Sequence, residues 1–190
     1  LTGLARVRSL TQDDAHVFMR PDQIQEEFNN AINLTQEVFE TYGLSDFSVR
    51  LSLRDPMKPE DYVGSEEVWK TAEDTLRNAA ESKGIAYEEG IGEAAFYGPK
   101  IDFMVRDALG RDWQCSTIQL DFVQPENFEI EYIGEDGQAH RPVMLHRAVT
   151  GSTERFMALL IEHFAGAFPV WISPVQAIVI PIADRHIEYA

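Results

Sequence analysis

Apolar residues recur at about four-residue steps after Pro21: Ile24, Phe28, Ile32 and then the Val38/Phe39 pair. That period predicts an amphipathic helix, which Gly43 stops. Ser65 is a good cap for a second helix that buries Trp69, Ala72, Leu76 and Ala79 or Ala80 and ends before Gly84. Elsewhere the period shortens to two. "FSVRLSL" alternates and predicts a strand. "KIDFMVRD", a turn at "ALGR" and "DWQCSTIQLDF" predict an antiparallel hairpin, with Ile101, Phe103 and Val105 on one face and Lys100 and Asp102 on the other. "ARVRSL" reads as a strand with Arg6 and Arg8 on one face and Ala5, Val7 and Ser9 on the other. "FEIEYIG" reads as another strand, turned by "EDGQ". "RPVMLHRAV" is a further strand, and Gly151-Ser152 turns it into a helix from about Thr153 to Ala167. The two prolines of "RDPMKPED" make that stretch a loop.

Helices and alternating strands of this kind predict an α+β body, an antiparallel sheet flanked by helices. Antiparallel sheets usually bury one face and leave the other free. A free face carrying Arg, Gln, Asp and His is a plausible site. The run "VQAIVIPI" differs, being apolar on both faces as in a buried parallel strand. It is expected to open a separate α/β domain, so the division is 1–173 and 174–190. The chain begins without Met and closes soon after that run, which suggests a fragment of a longer protein.

The formal net charge of −16 over 190 residues argues against a non-specific nucleic-acid coat, which needs clustered Lys and Arg. A nucleic acid bound by shape through another part of a longer protein stays compatible with it. The single cysteine, Cys115, forms no internal disulfide and fits a reducing compartment. No apolar run approaches the roughly 18 residues of a membrane span, and no signal peptide is visible.

The polar groups worth weighing sit among apolar neighbours. In "TQDDAHVF", Asp14 and His16 are two apart, so on an extended segment they point the same way. His146 ends the apolar run of "PVMLHR". Neutral imidazole is a common zinc ligand, but a hydrogen-bonded histidine at the rim of a core explains either residue as well. Cys115 is a third candidate ligand that no spacing requires. In "AVTGSTERF" the small Gly151 and Ser152 precede a helix whose first turn carries Arg155. Its free amides and guanidinium suit phosphate or a flat ring, and equally an ordinary capped helix. Gly98-Pro99 in "AFYGPKIDF" is a tight turn that leaves Tyr97 and Lys100 unexplained. Gln114, Thr117 and Gln119 are unusually polar for a strand and suit an uncharged or zwitterionic ligand. No G-x-S-x-G and no phosphate-binding G-x-x-x-x-G-K-[ST] is present.

Taken in order, "LTGLARVRSLTQDDAHVF", "AFYGPKIDF", "WQCSTIQLDF" and "PVMLHRAVTGSTERF" closely resemble the catalytic domain of the threonyl-tRNA synthetase family. The resemblance implies the class II aminoacyl-tRNA synthetase fold, entered within motif 2 and containing all of motif 3. Residues 174–190 would then open the anticodon-binding domain. It also implies a zinc ion held by His16 and His146 and by a cysteine upstream of this chain, at a position Cys115 does not occupy. The motif 2 arginine that faces the α-phosphate would likewise precede residue 1. By the same carry-over Asp14 accepts hydrogen bonds from the threonine amino group, with Gln12, Tyr97 and Gln119 lining that pocket. Arg6, Gln114 and Arg155 match ATP-holding positions, and Thr117, Ser152 and Lys100 are their neighbours. Arg6 and Arg155 are the candidate catalytic arginines. Met19, Ala94 and the longer loop at "RDPMKPEDY" depart from the commoner pattern without touching these residues.

The activity so implied is ATP- and Mg²⁺-dependent activation of L-threonine to threonyl-adenylate, then transfer to tRNA(Thr), in a cytoplasmic homodimer. Zinc has a physical purpose in it. Valine nearly matches threonine in shape, and an apolar pocket separates such pairs by only ~10²-fold, whereas engaging the hydroxyl reaches ~10⁴–10⁵. A synthetase-like paralogue would be expected to lose Asp14, His16 or Arg155, and all three are present. A zinc hydrolase would instead need a general base beside the metal.

Overall fold

The alternating runs pair into one sheet. A computed structural model describes residues 2–190. Its strands are β1 (Ala15–Met19), β2 (Phe47–Leu53), β3 (Tyr87–Ile91), β4 (Lys100–Arg106), β5 (Asp112–Asp121), β6 (Tyr132–Ile133), β7 (Ala139–His140) and β8 (Val143–Ala148). The helices are α1 (Ile24–Thr41), α2 (Glu66–Ser82), the short α3 (Val123–Asn127) and α4 (Thr153–His163). Six strands run in the order β1-β8-β5-β4-β2-β3, while β6 and β7 form a separate hairpin about the "EDGQ" turn. Every pairing in the large sheet is antiparallel except β2 with β3.

Helix formation follows the apolar stripes. Ser65 caps α2 by accepting from the Val68 amide, and Trp69, Ala72, Leu76, Ala79 and Ala80 are its buried apolar face. Phe28, Ile32 and Phe39 of α1 are buried against Leu51, Ile101, Phe103, Ile118, Leu120 and Leu145 of the sheet. Full burial of each such side chain is worth about 1.5–3 kcal/mol. With one face of the sheet committed to this core, its other face carries the polar residues.

Four expectations from the pattern are corrected. "ARVRSL" forms no strand: the chain folds back on itself, the Thr2 amide donating to the Arg6 carbonyl (3.2 Å) and the Arg6 amide returning to the Thr2 carbonyl (3.3 Å). "FEIEYIG" is mostly not a strand either, because the Phe128, Glu129 and Ile130 amides donate back to the Gln124, Glu126 and Pro125 carbonyls at the end of α3, and Glu129 takes a left-handed φ of 54°. Only Tyr132–Ile133 of that run pairs. The edge strand β3 escapes the pattern, since "YEEGI" carries two glutamates and a glycine, as solvated edges do. "VQAIVIPI" forms no strand among the described residues, and Ile178, Val179 and Ile180 are 73, 69 and 79% exposed. A strand exists only against a hydrogen-bonding neighbour, and this run has none here. Helix α4 also stops at His163 rather than Ala167, since Ala165 takes a left-handed φ of 49°.

Candidate active site

Register across the sheet assembles the site. His16 pairs with His146 between β1 and β8, His146 with Gln119 between β8 and β5, Gln119 with Lys100 between β5 and β4, and Lys100 with Ser52 between β4 and β2. These residues form one transverse row. Residues distant in sequence become neighbours because directly opposed side chains in antiparallel strands lie about 5 Å apart.

A β-bulge adds Gln114 to this face. Phe103 opposes Ser116 but Met104 opposes Gln114, so Cys115 is the extra residue. The slip lets the Gln114 Nε2 donate to Thr117 Oγ1 at 2.8 Å. Without it, strict alternation would send Gln114 to the core face along with Ser116 and Ile118.

Beside this row lies a cavity of about 480 Å³. Of the residues singled out from the sequence, Gln12, Asp14, Tyr97, Lys100, Gln114, Thr117, Gln119, His146, Ser152 and Arg155 line it. Arg6 does not. It sits exposed in the Thr2–Arg6 turn, outside the lining. His16 flanks the cavity through His146, their ring centroids 4.5 Å apart in an edge-on arrangement.

Two loops are stapled to the sheet to close the cavity. Asp13 accepts from the amides of Val149, Thr150 and Gly151 at 2.9–3.1 Å, and the Thr153 amide donates to the Thr11 carbonyl at 2.8 Å. Glu154 in turn accepts from the Thr11 amide, which holds its carboxyl below the usual range. Gly151 lies so close to the bulge that an added Cβ would stand 2.1 Å from the Cys115 carbonyl oxygen. Gly98 is tighter still, 1.8 Å from the Leu120 carbonyl oxygen. Only glycine permits both approaches.

The polar floor is organised by Asp102, which is 3% exposed. Its Oδ1 accepts from Gln114 Nε2 (2.6 Å) and Thr117 Oγ1 (2.7 Å), its Oδ2 from Ser52 Oγ (2.8 Å) and Lys100 Nζ (2.7 Å). Four donors saturate the carboxylate, and the lysine among them balances its charge. Tyr97 donates to Gln119 Oε1 (3.1 Å). Burial, with smaller contributions from Asp121 and Asp14, pushes its hydroxyl up and keeps it a donor. Arg155 donates from Nε to the Ala5 carbonyl (3.0 Å) and from an Nη to the Gln114 carbonyl (2.8 Å), and lies 5.5 Å over the Trp113 ring. Its side chain is pre-set by these contacts.

Asp14, His16 and His146 each offer a ligand atom, and the three atoms lie within 4.8 Å of one another. Two imidazoles and a carboxylate are a donor set that suits Zn²⁺. Cys115 takes no part: it is buried outside this group of donors, and burial pushes its thiol up to about 12.

Sequence reasoning missed Asp13, Asp102 and Asp121. The signal for the last two was present, since Asp102 alternates with Ile101 and Phe103, and Asp121 continues the face of Thr117 and Gln119.

Residues 1–164 match the family described as the tRNA synthetase class II core domain (G, H, P, S and T). The chain belongs to this family. A class II core explains the antiparallel sheet, and 14% identity to histidyl-tRNA synthetase from S. aureus at a TM-score of 0.54 (82% of this chain, 41% of that one) shows the fold alone. Within the family, the chain is 65% identical over all its 190 residues to a threonine–tRNA ligase of Rubrobacter xylanophilus and 56% identical to one of Chlorobium chlorochromatii. It spans 30 and 29% of their lengths. A solved structure titled as the RNA binding domain of threonyl-tRNA synthetase from Cryptosporidium parvum Iowa II superposes with a TM-score of 0.92 at 44% identity, covering all of this chain and 46% of that one. The class II resemblance read from the four motifs is thus correct. No helix among the described residues is long and apolar enough to cross a membrane.

Proposed function

We propose that this chain is part of the catalytic core of a threonine–tRNA ligase, which activates L-threonine with ATP and transfers it to tRNA(Thr). The observation that carries the reading is the convergence of Asp14, His16 and His146 at the edge of a cavity walled by Gln114, Thr117 and Arg155. A charged donor set at one end and phosphate- and ring-binding groups at the other suit an amino acid joined to a nucleotide.

In the first step the threonine carboxylate attacks the α-phosphate of Mg²⁺-bound ATP, forming threonyl-adenylate and releasing pyrophosphate. No side chain need become a nucleophile, so catalysis is positioning and charge stabilisation. Asp14 accepts from the threonine ammonium. Gln12, Tyr97 and Gln119 orient the amino acid, with the Tyr97 hydroxyl kept protonated. Arg155, stacked on Trp113, meets the ATP without reorganising, beside Gln114, Thr117, Ser152 and Lys100. Arg6, exposed in the Thr2–Arg6 turn outside the cavity lining, is the second arginine for the nucleotide phosphates. His16 and His146 would hold a zinc ion with a third protein ligand outside this chain. When bound, that ion supplies Lewis acidity toward the amino group and hydroxyl of threonine, the latter being what valine lacks. Residues 174–190 begin the anticodon-binding domain, and the full-length enzyme is a cytoplasmic homodimer.

The test is ATP–pyrophosphate exchange by the full-length protein with threonine or valine, together with its zinc content. Exchange that depends on threonine, with about one zinc per subunit, supports the reading. Zinc-dependent hydrolysis without exchange would replace it with a metal hydrolase.

A further inference from the structure

Asp121 closes β5 on the cavity face, two residues beyond Gln119, and its side chain is fully buried. Oδ1 accepts from the Val123 and Gln124 amides, each at 2.9 Å. Oδ2 lies 2.7 Å from His146 Nε2. The activity proposed above makes no use of this carboxylate.

We infer that Asp121 is a positioning residue which selects the tautomer and orientation of His146 for metal binding. The inference rests on the reading of His146 as a zinc ligand. Two backbone amides pin Oδ1, so Oδ2 cannot swing away. A carboxylate oxygen only accepts, and it therefore requires a proton on Nε2 of the neighbouring ring. The neutral imidazole then keeps its lone pair on Nδ1, the nitrogen left free for an ion. Turning the ring over would set a C–H against a buried carboxylate and leave that charge short of a donor. Negative charge on this side of the ring also strengthens the other nitrogen as a donor to metal. His16 has no such support among the described residues: its nearest acid is Asp14, 3.7 Å away and exposed. The two histidines are thus unequal, one fixed and one adaptable.

Asparagine at position 121 gives the sharpest test. If its amide oxygen takes the two backbone donors, its NH2 faces His146 and demands the opposite tautomer, with the proton on Nδ1. Serine separates the two tasks, since its hydroxyl can still accept from the Val123 or Gln124 amide but no longer reaches the ring. Zinc affinity of the full-length Asp121→Asn and Asp121→Ser proteins is measured by competition with a chelating dye, alongside the melting temperature of each zinc-free protein. Affinity about 10- to 100-fold weaker in both is expected. Zinc-free Asp121→Ser should melt close to the parent, and added zinc should restore its threonine-dependent exchange. Should Asp121→Asn fail to fold, the Asp121→Ser titration decides alone. Affinity within twofold of the parent in a folded variant overturns the inference while leaving His146 as a ligand. A parent protein without zinc, or a His146→Ala variant that binds it normally, overturns both this inference and the reading it rests on.

Discussion

His16 and His146 stand opposite each other in the β1–β8 register, their rings 4.5 Å apart and edge-on. Antiparallel pairing alone brings them together, and Asp14 joins them because it lies two residues from His16 on the same extended segment. The proximity of the two rings is therefore as stable as the sheet.

Replacing His146 with alanine should abolish stoichiometric zinc and collapse discrimination against valine. The ratio of kcat/KM for threonine over valine is expected to fall from ~10⁴ or more toward ~10² or less, since only shape would then separate the two. Metal analysis and pyrophosphate exchange with each amino acid measure this.

Arg155→Ala removes a guanidinium held by two backbone carbonyls and stacked on Trp113. Charge-assisted hydrogen bonds contribute about 1.5–3 kcal/mol. Exchange assays at varied ATP should show kcat/KM reduced roughly 10- to 150-fold.

Asp102→Asn keeps the shape but turns one acceptor oxygen into a donor amid four donors. The variant should lose about 1–3 kcal/mol of stability. Exchange activity should fall roughly 10- to 100-fold, as Lys100, Gln114 and Thr117 drift from position. Thermal denaturation and exchange, read together, distinguish it from Ser52→Ala, which removes one donor and leaves the cavity residues anchored.

Gly98→Ala sets a methyl group against the backbone carbonyl of Leu120, where neither side can yield as a flexible side chain would. About 1–3 kcal/mol of destabilisation is expected, visible in urea unfolding.

Asp107 supplies a pH dependence. Burial pushes its carboxyl up, but hydrogen bonds from Trp113, Arg111 and the Arg111 and Leu109 amides outweigh it and hold the group well below its ordinary 3.8. A folded-state value below the unfolded one means the stabilisation is fully present above about pH 4 and lost as pH falls through the folded value. Asp107→Asn should therefore be about 1–3 kcal/mol less stable than the parent at pH 7. The gap should narrow progressively below pH 4 in urea titrations.

Much of this protein is decided by local pattern. The four-residue period placed α1 and α2, and alternation placed β2, β4, β5 and β8, because each buries one face regardless of its partner. The motifs holding His16, Tyr97, Gln119, His146 and Arg155 were legible for the same reason: they are short and contiguous. What the sequence could not decide depended on partners elsewhere in the chain. "VQAIVIPI" and "ARVRSL" have strand-like composition, but a strand is completed by a neighbouring strand; the first finds none among the described residues, and the second finds only its own bend back to Thr2. Gln114 reaches the cavity only through a bulge at Cys115, and Asp13, Asp102 and Asp121 take on their tasks only once distant amides and side chains converge on them. A buried carboxylate is stabilised by donors that folding assembles, so its role is written in the tertiary structure and not in its own segment.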